Sequence, residues 1–402
     1  MDVLVYILFF FGTLFHYLST KSIYSPQFIA VVLLFPVFLT SNFEVQEIFA
    51  IGIFFTGIGG FLYIHRSRPN NYHINIKYDK PVIYAMWLFI IIACLMSVYY
   101  FSQIGISIFT EDVGYERLVR RHAVSGSFLF QRMFRVLLPI MLLMYVYVKR
   151  DRIKNSKSTQ VMFFSLFMLT VSFNVFTGMR GNIIIFVITP LVIFYGYLFK
   201  KIKLKTLALL FSTTFMFGLL STNFMYPQYS TLDTIGLILE RLSSSASDGI
   251  HYSVYNDVPN NGYYYGETYV NDILSIPYKL GIISHEHQVY GALLAQEMLG
   301  VNYNNEQAAV YTFGELYANF GHMGLAFVSL VIGFLLKWFH YYVVRNSYVS
   351  FRLPFLAYFA ATLIPISGGP TLSMLLDYSV TVFLLFIFFV FTVKILRNFK
   401  IT

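Results

Sequence analysis

Long apolar segments alternate with short polar connections along nearly the whole chain. A membrane-spanning helix needs about 20 predominantly apolar residues, and segments close to that length recur throughout. They lack the two-residue alternation of a transmembrane β-strand, so this pattern predicts helices as the spanning structures. We predict an all-α polytopic membrane protein. Its eleven or so transmembrane helices are predicted at Val3–Leu18, Phe28–Leu39, Ile48–Ile64, Val82–Phe101, Met133–Val148, Val161–Phe176, Ile183–Phe199, Leu207–Leu220, Ala308–Leu336, Leu353–Ile366 and Leu372–Val393.

Clusters of Lys and Arg separate several of these segments, and such clusters favour the cytoplasmic side of a membrane. Five of them agree with a single orientation of eleven helices: 65–80, 149–157, 200–205, 337–352 and 394–400. That orientation places the N-terminus and residues 223–306 outside the cytoplasm and the C-terminus inside. No cleavable signal peptide is expected, because the first apolar segment follows Asp2 without a basic region.

The composition agrees with this interpretation, since 57% of the residues are hydrophobic and 12% are charged, with a mean hydropathy of +0.65. We expect one integral-membrane domain over residues 1–402, because soluble-domain length rules do not apply to a helical bundle. The net charge of +9 lies mostly in the orientation clusters, so nucleic acid is not an expected partner. The single cysteine, Cys94, excludes a disulfide framework. Without metal-ligand or cofactor-binding spacings, neither a metal nor a cofactor is expected.

Residues 223–306 form the one long polar interval. They hold two cations, Arg241 and Lys279, among nine acidic residues, together with three His and many Tyr and Asn. Aromatic rings stack on sugar rings and amides bind sugar hydroxyls, so this composition favours a surface that faces carbohydrate. A solvated loop without chemistry is the alternative. The tyrosines and short apolar runs argue against disorder.

Several arginines lie on the predicted outer side, against the orientation rule. Arg117, Arg120 and Arg121 fall in one outer loop, and Arg135 lies just beyond it. Arg180 lies in a tight turn, Thr177–Asn182, between two helices. Guanidinium groups bind phosphate oxygens in pairs, so these positions suit a lipid-linked phosphate. The alternatives are a salt-bridged local helix and an arginine that anchors a helix end at the membrane surface.

A possible acid–base group lies inside the polar interval. Arg241 ends a short amphipathic stretch, and Asp248 and His251 follow closely. An arginine, a carboxylate and a histidine together could stabilise a leaving diphosphate and deprotonate an attacking hydroxyl. Ordinary polar surface residues beside a charged helix end are the alternative.

The ninth predicted helix begins with a second polar group. Glu315, Asn319 and His322 are spaced i, i+4 and i+7, so they are predicted to share one face. A carboxylate inside a membrane helix indicates a functional site by default, whereas polar contacts between helices are the alternative. Asp377 in the last predicted helix has the same two interpretations.

The overall plan and three short stretches of this chain resemble the O-antigen polymerases, the Wzy-type oligosaccharide repeat-unit polymerases of bacteria. The stretches are Thr177–Asn182, the run of residues 266–269 (GETY) followed by Pro277, and residues 312–324 with the sequence TFGELYANFGHMG. The plan covers the whole chain, and the stretches cover about a tenth of it. The chain departs from some members in one respect, because no arginine is followed by Gly eleven positions later. This departure leaves the assignment of Arg241 open.

The resemblance implies a GT-C-like glycosyltransferase of the bacterial inner membrane that needs no metal. Such an enzyme passes the growing chain from its lipid diphosphate to the non-reducing end of a fresh repeat unit. The implied partners are undecaprenyl-diphosphate-linked oligosaccharides and membrane lipids, with a chain-length regulator protein and a flippase as further candidates. The catalytic candidates are Arg180, Arg241, Asp248 and His251. The substrate-binding candidates are Arg117, Arg120, Arg121, Arg135, Glu267, Tyr269, Glu315, Tyr317 and Asn319.

Two other functions fit the same plan. An O-antigen ligase would transfer the glycan to a lipid A core. A polysaccharide flippase or transporter would not be an enzyme, and it typically has internal repeats, which this sequence does not show. The large outer loop and the superficial arginines favour an enzyme over a transporter.

Overall fold

In the computed structural model every regular element of the described residues is a helix, as the sequence predicts. The structure describes residues 2–63, 80–106, 127–153, 155–176, 183–199, 212, 216, 219–220, 230, 232–236, 248–279, 282–285, 287–299, 310–346, 351–364 and 372–398.

Among the described residues, the first eight helices are α1 (Asp2–Thr20), α2 (Pro26–Thr40), α3 (Phe43–Leu62), α4 (Lys80–Ile104), α5 (Ser127–Arg132), α6 (Leu138–Lys149), α7 (Lys157–Phe176) and α8 (Thr189–Phe199). The remaining seven are α9 (Asp248–Tyr252), α10 (Val258–Asn261), α11 (Glu267–Lys279), α12 (Tyr290–Leu299), α13 (Tyr311–Asn346), α14 (Leu353–Thr362) and α15 (Leu372–Asn398). Three π-helical turns lie between or before them, at Met133–Leu137, Ile184–Ile188 and Ser253–Asp257.

Among the described residues, seven helical stretches are long and apolar enough to cross a membrane. They are Val3–Thr20, Phe43–Leu62, Lys80–Ile104, Leu129–Lys149, Lys157–Phe176, Tyr311–Val343 and Tyr378–Asn398. Each corresponds to a segment that the sequence predicts as spanning. Three more predicted segments are shorter apolar helices, namely Pro26–Thr40, Phe186–Phe199 and Leu353–Thr362. The predicted helix Leu207–Leu220 falls almost entirely outside the described residues.

The chain divides into two compact units, each assembled from separated stretches of sequence. The first unit combines Met1–Arg68, Gly236–Tyr342 and Thr362–Tyr378. The second combines Pro69–Ile235, Val343–Ala361 and Ser379–Thr402.

The apolar core of the first unit includes buried residues of α1, α2, α3 and α13. The helices α3 and α13 cross at glycines, and a Cβ added at Gly59 would lie 1.9 Å from the carbonyl oxygen of Leu330. The side-chain amide of Gln27 donates to the carbonyl oxygen of Gly333 at 2.9 Å. Small residues let helix backbones approach each other closely in membranes, so these glycines permit the close crossing.

The second unit contains aromatic contacts among α4, α7 and the π-helical turn Met133–Leu137. The ring of Phe101 stacks on Phe173 at 5.9 Å and lies 5.5 Å from the ring of Phe134. A π-helical turn disturbs the regular backbone hydrogen bonds of a helix. Here the carbonyl oxygen of Phe134 accepts from the Asn174 amide at 3.3 Å, and that of Arg135 accepts from the Tyr358 hydroxyl.

The long helix α13 is interrupted at Gly321, whose φ is 63° and ψ is −167°. This backbone conformation is essentially restricted to glycine. The interruption divides α13 into a first arm, residues 311–320, and a second arm, residues 322–346. The last carbonyl groups of the first arm therefore have no continuing helix to bind them.

Candidate functional site

Much of the interval 223–306, which the sequence marks as polar, is folded as helices in the described residues. The helix α9, the π-helical turn Ser253–Asp257 and α10 follow one another without a break from Asp248 to Asn261. Gly262, with a φ of 79°, ends this helix, and α11 and α12 follow. The segment packs on the core of the first unit through Ile250, which is fully buried there.

A turn at residues 262–266 binds the end of the first arm of α13. The backbone N–H groups of Tyr264 and Tyr265 donate to the carbonyl oxygens of Ala318 and Asn319 at 3.1 and 3.0 Å. The N–H of Gly266 donates to the side-chain oxygen of Asn319 at 2.8 Å. The interruption at Gly321 leaves these carbonyl groups available, and the turn supplies their missing donors.

Glu315 and Asn319 lie beneath this turn in a buried polar cluster. Glu315 is 1% exposed and Asn319 is 0% exposed. The Thr268 hydroxyl donates to Glu315 Oε1 at 3.0 Å, and the Asn319 amide donates to Thr268 Oγ1 at 2.7 Å. Within the part of the chain that the structure describes, Glu315 Oε2 has no hydrogen-bond partner.

Tyr269 extends this cluster toward the first turn of α11. Burial raises the pKa of its hydroxyl well above the usual range, and the negative charges of Glu315 and Asp272 raise it further. A tyrosine in this setting stays protonated and offers a hydrogen-bond donor. Its hydroxyl is buried and makes no hydrogen bond to a described residue.

A second polar group, more open to solvent, surrounds His251. The imidazole lies 4.4 Å from the Tyr255 ring, centroid to centroid, and Tyr255 is 42% exposed. The Tyr255 hydroxyl donates to the Glu44 carboxylate at the start of α3, and this bond raises the pKa of Tyr255 to about 12. Both Asp248 and Glu44 interact electrostatically with the imidazole. Burial raises the pKa of the Asp248 carboxyl, and His251 partly offsets this.

A buried carboxylate, Asp257, holds the helical segment that follows His251. Asp257 is 1% exposed. Its Oδ2 accepts from the Tyr290 hydroxyl at 2.5 Å, and its Oδ1 accepts from the Tyr264 hydroxyl at 2.7 Å and the Asn261 amide at 2.9 Å. The hydroxyls of Ser253 and Tyr290 are 2.7 Å apart. This network joins the π-helical turn to α12 and to the 262–266 turn.

The structure brings only part of the predicted site together. Glu315, Asn319 and Tyr269 share one cluster, and Asp248 and His251 share the other. Glu267 is exposed at the start of α11. Tyr317 packs against the rings of Tyr263 at 6.2 Å and His322 at 5.0 Å.

One predicted relation is wrong, because His322 does not share a continuous helical face with Glu315 and Asn319. The interruption at Gly321 separates His322 from the first arm. The same arm begins at Tyr311, so Glu315 lies about one turn from the helix start. The amide nitrogen of Asn319 donates to Thr268, and its side-chain oxygen accepts from the N–H of Gly266. Its hydrogen bonds therefore position the 262–266 turn.

The predicted arginines fall largely outside the described residues. This holds for Arg117, Arg120, Arg121, Arg180 and Arg241. Arg135 is described and is 6% exposed in the second unit, within the π-helical turn Met133–Leu137. The side chain of Asp377 also lies outside the part of the chain that the structure describes.

The sequence did not single out Glu44, Asp257, Thr268 or Tyr290. The spacing of His251 and Tyr255, four residues apart, indicates that they share a helical face. No sequence pattern indicates that Glu44 lies beside Tyr255, because 211 residues separate them. Among the described residues, no group of three or more His, Cys, Asp or Glu could hold a metal ion.

Comparison with known proteins provides no relative for this chain. No protein-family model matches it, and no curated protein or solved structure is similar enough to count as a match.

Proposed function

We propose that the protein is a polymerase that joins undecaprenyl-diphosphate-linked oligosaccharide repeat units into O-antigen or a related surface polysaccharide. The observation that carries this proposal is the setting of His251, a half-buried imidazole whose ring lies 4.4 Å from that of Tyr255, the residue that binds Glu44. Asp248, three residues before His251, interacts with it electrostatically. A histidine side chain is the commonest general base in enzymes. Such a group suits the activation of a sugar hydroxyl.

In the proposed reaction, His251 accepts the proton of an acceptor hydroxyl as that oxygen attacks the anomeric carbon of the growing chain. The new glycosidic C–O bond forms while the bond to the lipid diphosphate breaks. The diphosphate leaves with the electron pair. Arg180 and Arg241 are proposed to stabilise its charge, with Arg117, Arg120, Arg121 and Arg135 as further phosphate contacts.

The sugar-binding surface is proposed to lie beside the 262–266 turn. Tyr265 is 79% exposed and Tyr263 is 39% exposed, and their rings lie 6.5 Å apart. Glu267 and Tyr317 flank the same turn. Glu315, Asn319 and Tyr269 contribute by holding the turn and the start of α11 in place.

The proposal also specifies how the chain is arranged in the membrane, beyond the seven long apolar helices that the described residues contain. It places about eleven helices in a GT-C-like bundle in the bacterial inner membrane. The N-terminus and residues 223–306 face the periplasm, and the C-terminus faces the cytoplasm. A chain-length regulator and the flippase that delivers the repeat units would be its protein partners.

Purified protein incubated with a synthetic lipid-diphosphate repeat unit tests the proposal. We expect a ladder of products from the wild-type protein. A general base contributes about 10²–10⁴-fold to rate, so His251→Ala should lower the rate of chain growth by about 100-fold or more. His285→Ala is the matched control, because His285 is exposed and remote from the two carboxylates in sequence.

Other outcomes would contradict the proposal in distinct ways. A single transfer to a lipid A core acceptor, without a ladder, would identify a ligase. Absence of any glycosyl transfer by well-folded protein would argue for a flippase or transporter. A full rate in His251→Ala with a normal ladder would leave a polymerase but exclude His251 as its base.

A further inference from the structure

After its exposed first residue, Glu267, the helix α11 buries polar residues and exposes apolar ones, the reverse of the pattern for a helix at a protein–water boundary. Thr268, Asp272 and Ser275 are 4%, 0% and 1% exposed. Their spacing, i, i+4 and i+7, places them on one face. Val270 and Ile273 point elsewhere and are 54% and 50% exposed.

The buried polar face of α11 makes hydrogen bonds within the protein. The Thr268 hydroxyl donates to Glu315 on the first arm of α13. The Ser275 hydroxyl donates to the carbonyl oxygen of Asp272 at 2.7 Å. The burial of the Thr268 and Ser275 hydroxyls is therefore compensated, so the inverted orientation of the helix is part of the packed fold.

The exposed apolar face of α11 continues onto α13. A Cβ at Gly266 would lie 3.6 Å from the ring of Phe320, and Tyr269 stacks on the same ring at 6.3 Å between centroids. Beyond Phe320, the second arm exposes Met323 at 85% and Phe327 at 70%. Both lie in Tyr311–Val343, one of the stretches long and apolar enough to span a membrane.

We infer that α11 lies in the membrane surface with Val270 and Ile273 in contact with lipid acyl chains. Contact with lipid removes apolar area from water, which is favourable. Helices with separate apolar and polar faces commonly lie at the boundary between headgroups and acyl chains. The polar face of α11 differs from that of most such helices, because it is directed into the protein rather than into water.

The lipid contact follows because the exposed apolar face of α11 is continuous with that of α13. If α13 spans the membrane, its exposed side chains must contact lipid. This inference concerns a part of the interval 223–306 whose sequence composition favours a carbohydrate-facing surface, with a solvated loop as the alternative. It does not depend on polymerase activity, because burial and exposure alone carry it.

Single-cysteine variants carrying nitroxide spin labels test the inference in liposomes of phosphatidylcholine and phosphatidylglycerol. The background is Cys94→Ser, which removes the only native cysteine. Labels at Val270→Cys and Ile273→Cys should collide with dissolved oxygen several-fold more often than with a water-soluble nickel chelate. Tyr265→Cys is the control, because Tyr265 is exposed on the adjoining turn, and its label should favour the nickel chelate.

Two results would overturn the inference. Labels at 270 and 273 that favour the nickel chelate as strongly as the label at 265 would show that α11 faces water. Labels shielded from both reagents would indicate contact with protein, such as a second copy of this chain. Thermal unfolding of each labelled variant close to that of the background would show that the fold is retained.

Discussion

At the scale of single residues, Asp257 illustrates how this protein accommodates a carboxylate away from water. It accepts hydrogen bonds from Tyr290, Tyr264 and Asn261, which compensate for the burial of its charge. Burial raises the pKa of the Tyr290 hydroxyl above its usual range, and the bond to Asp257 raises it further. The tyrosine therefore stays a donor to the carboxylate.

We predict that Tyr290→Phe destabilises the protein while leaving its overall structure intact. Removing a hydrogen bond to a charged group costs about 1.5–3 kcal/mol. The expected result is a lower thermal unfolding temperature in detergent, measured by intrinsic fluorescence. Tyr265→Phe is the control and should have little effect, because Tyr265 is 79% exposed. Equal stability of Tyr290→Phe and the wild type would contradict a structural role for this network.

The stability of Tyr290→Phe should also depend on pH differently from that of the wild type in alkaline solution. An unfolded tyrosine loses its proton near its ordinary pKa of about 10, whereas folded Tyr290 retains it to higher pH. Above that pH the unfolded state binds fewer protons than the folded state, so the free energy of unfolding falls as pH rises. Tyr290→Phe removes this contribution. Its loss of stability between about pH 9 and pH 11 should therefore be smaller than that of the wild type.

At the scale of elements, the interruption of α13 determines how the site is assembled. The turn at residues 262–266 can bind the first arm only because Gly321 ends that arm after Phe320. An uninterrupted helix would use the carbonyl groups of Ala318 and Asn319 for its own hydrogen bonds. The position of the exposed tyrosines of the turn therefore depends on one glycine.

We predict that Gly321→Ala lowers stability and weakens the docking of the 262–266 turn. A non-glycine residue in this backbone conformation costs about 1–3 kcal/mol, and the new Cβ would lie 3.1 Å from the Tyr263 ring. Thermal unfolding and hydrogen exchange at Tyr264 and Tyr265 measure the two effects. Gly236→Ala is the control, since no atom of the described residues outside its own helix lies within 4 Å of a Cβ there. Unchanged rates of amide hydrogen exchange at Tyr264 and Tyr265 in Gly321→Ala would show that the docking of the turn does not depend on Gly321.

At the scale of the whole molecule, the clusters of Lys and Arg predict how the chain is oriented across the membrane. We predict that a reporter enzyme active only in the periplasm works when inserted at Gly262 and fails when fused after Thr402. Green fluorescent protein fused after Thr402 should fluoresce, because it matures in the cytoplasm. An insertion in the basic cluster 149–157 provides a second cytoplasmic position. The opposite pattern at Gly262 and Thr402 would reverse the proposed topology.

The sequence by itself determined the helical class of this protein, because apolar segments of membrane-spanning length leave helices as the form that satisfies their backbone groups. It also placed Glu315 and Asn319 on one face, since their spacing is a local property of a helix. Tertiary structure decided the rest of the site. Tyr290 reaches Asp257 across 33 residues, and Tyr255 reaches Glu44 across 211. Such contacts depend on how helices that are far apart in the sequence pack together. The burial of the polar face of α11 depends on the same packing.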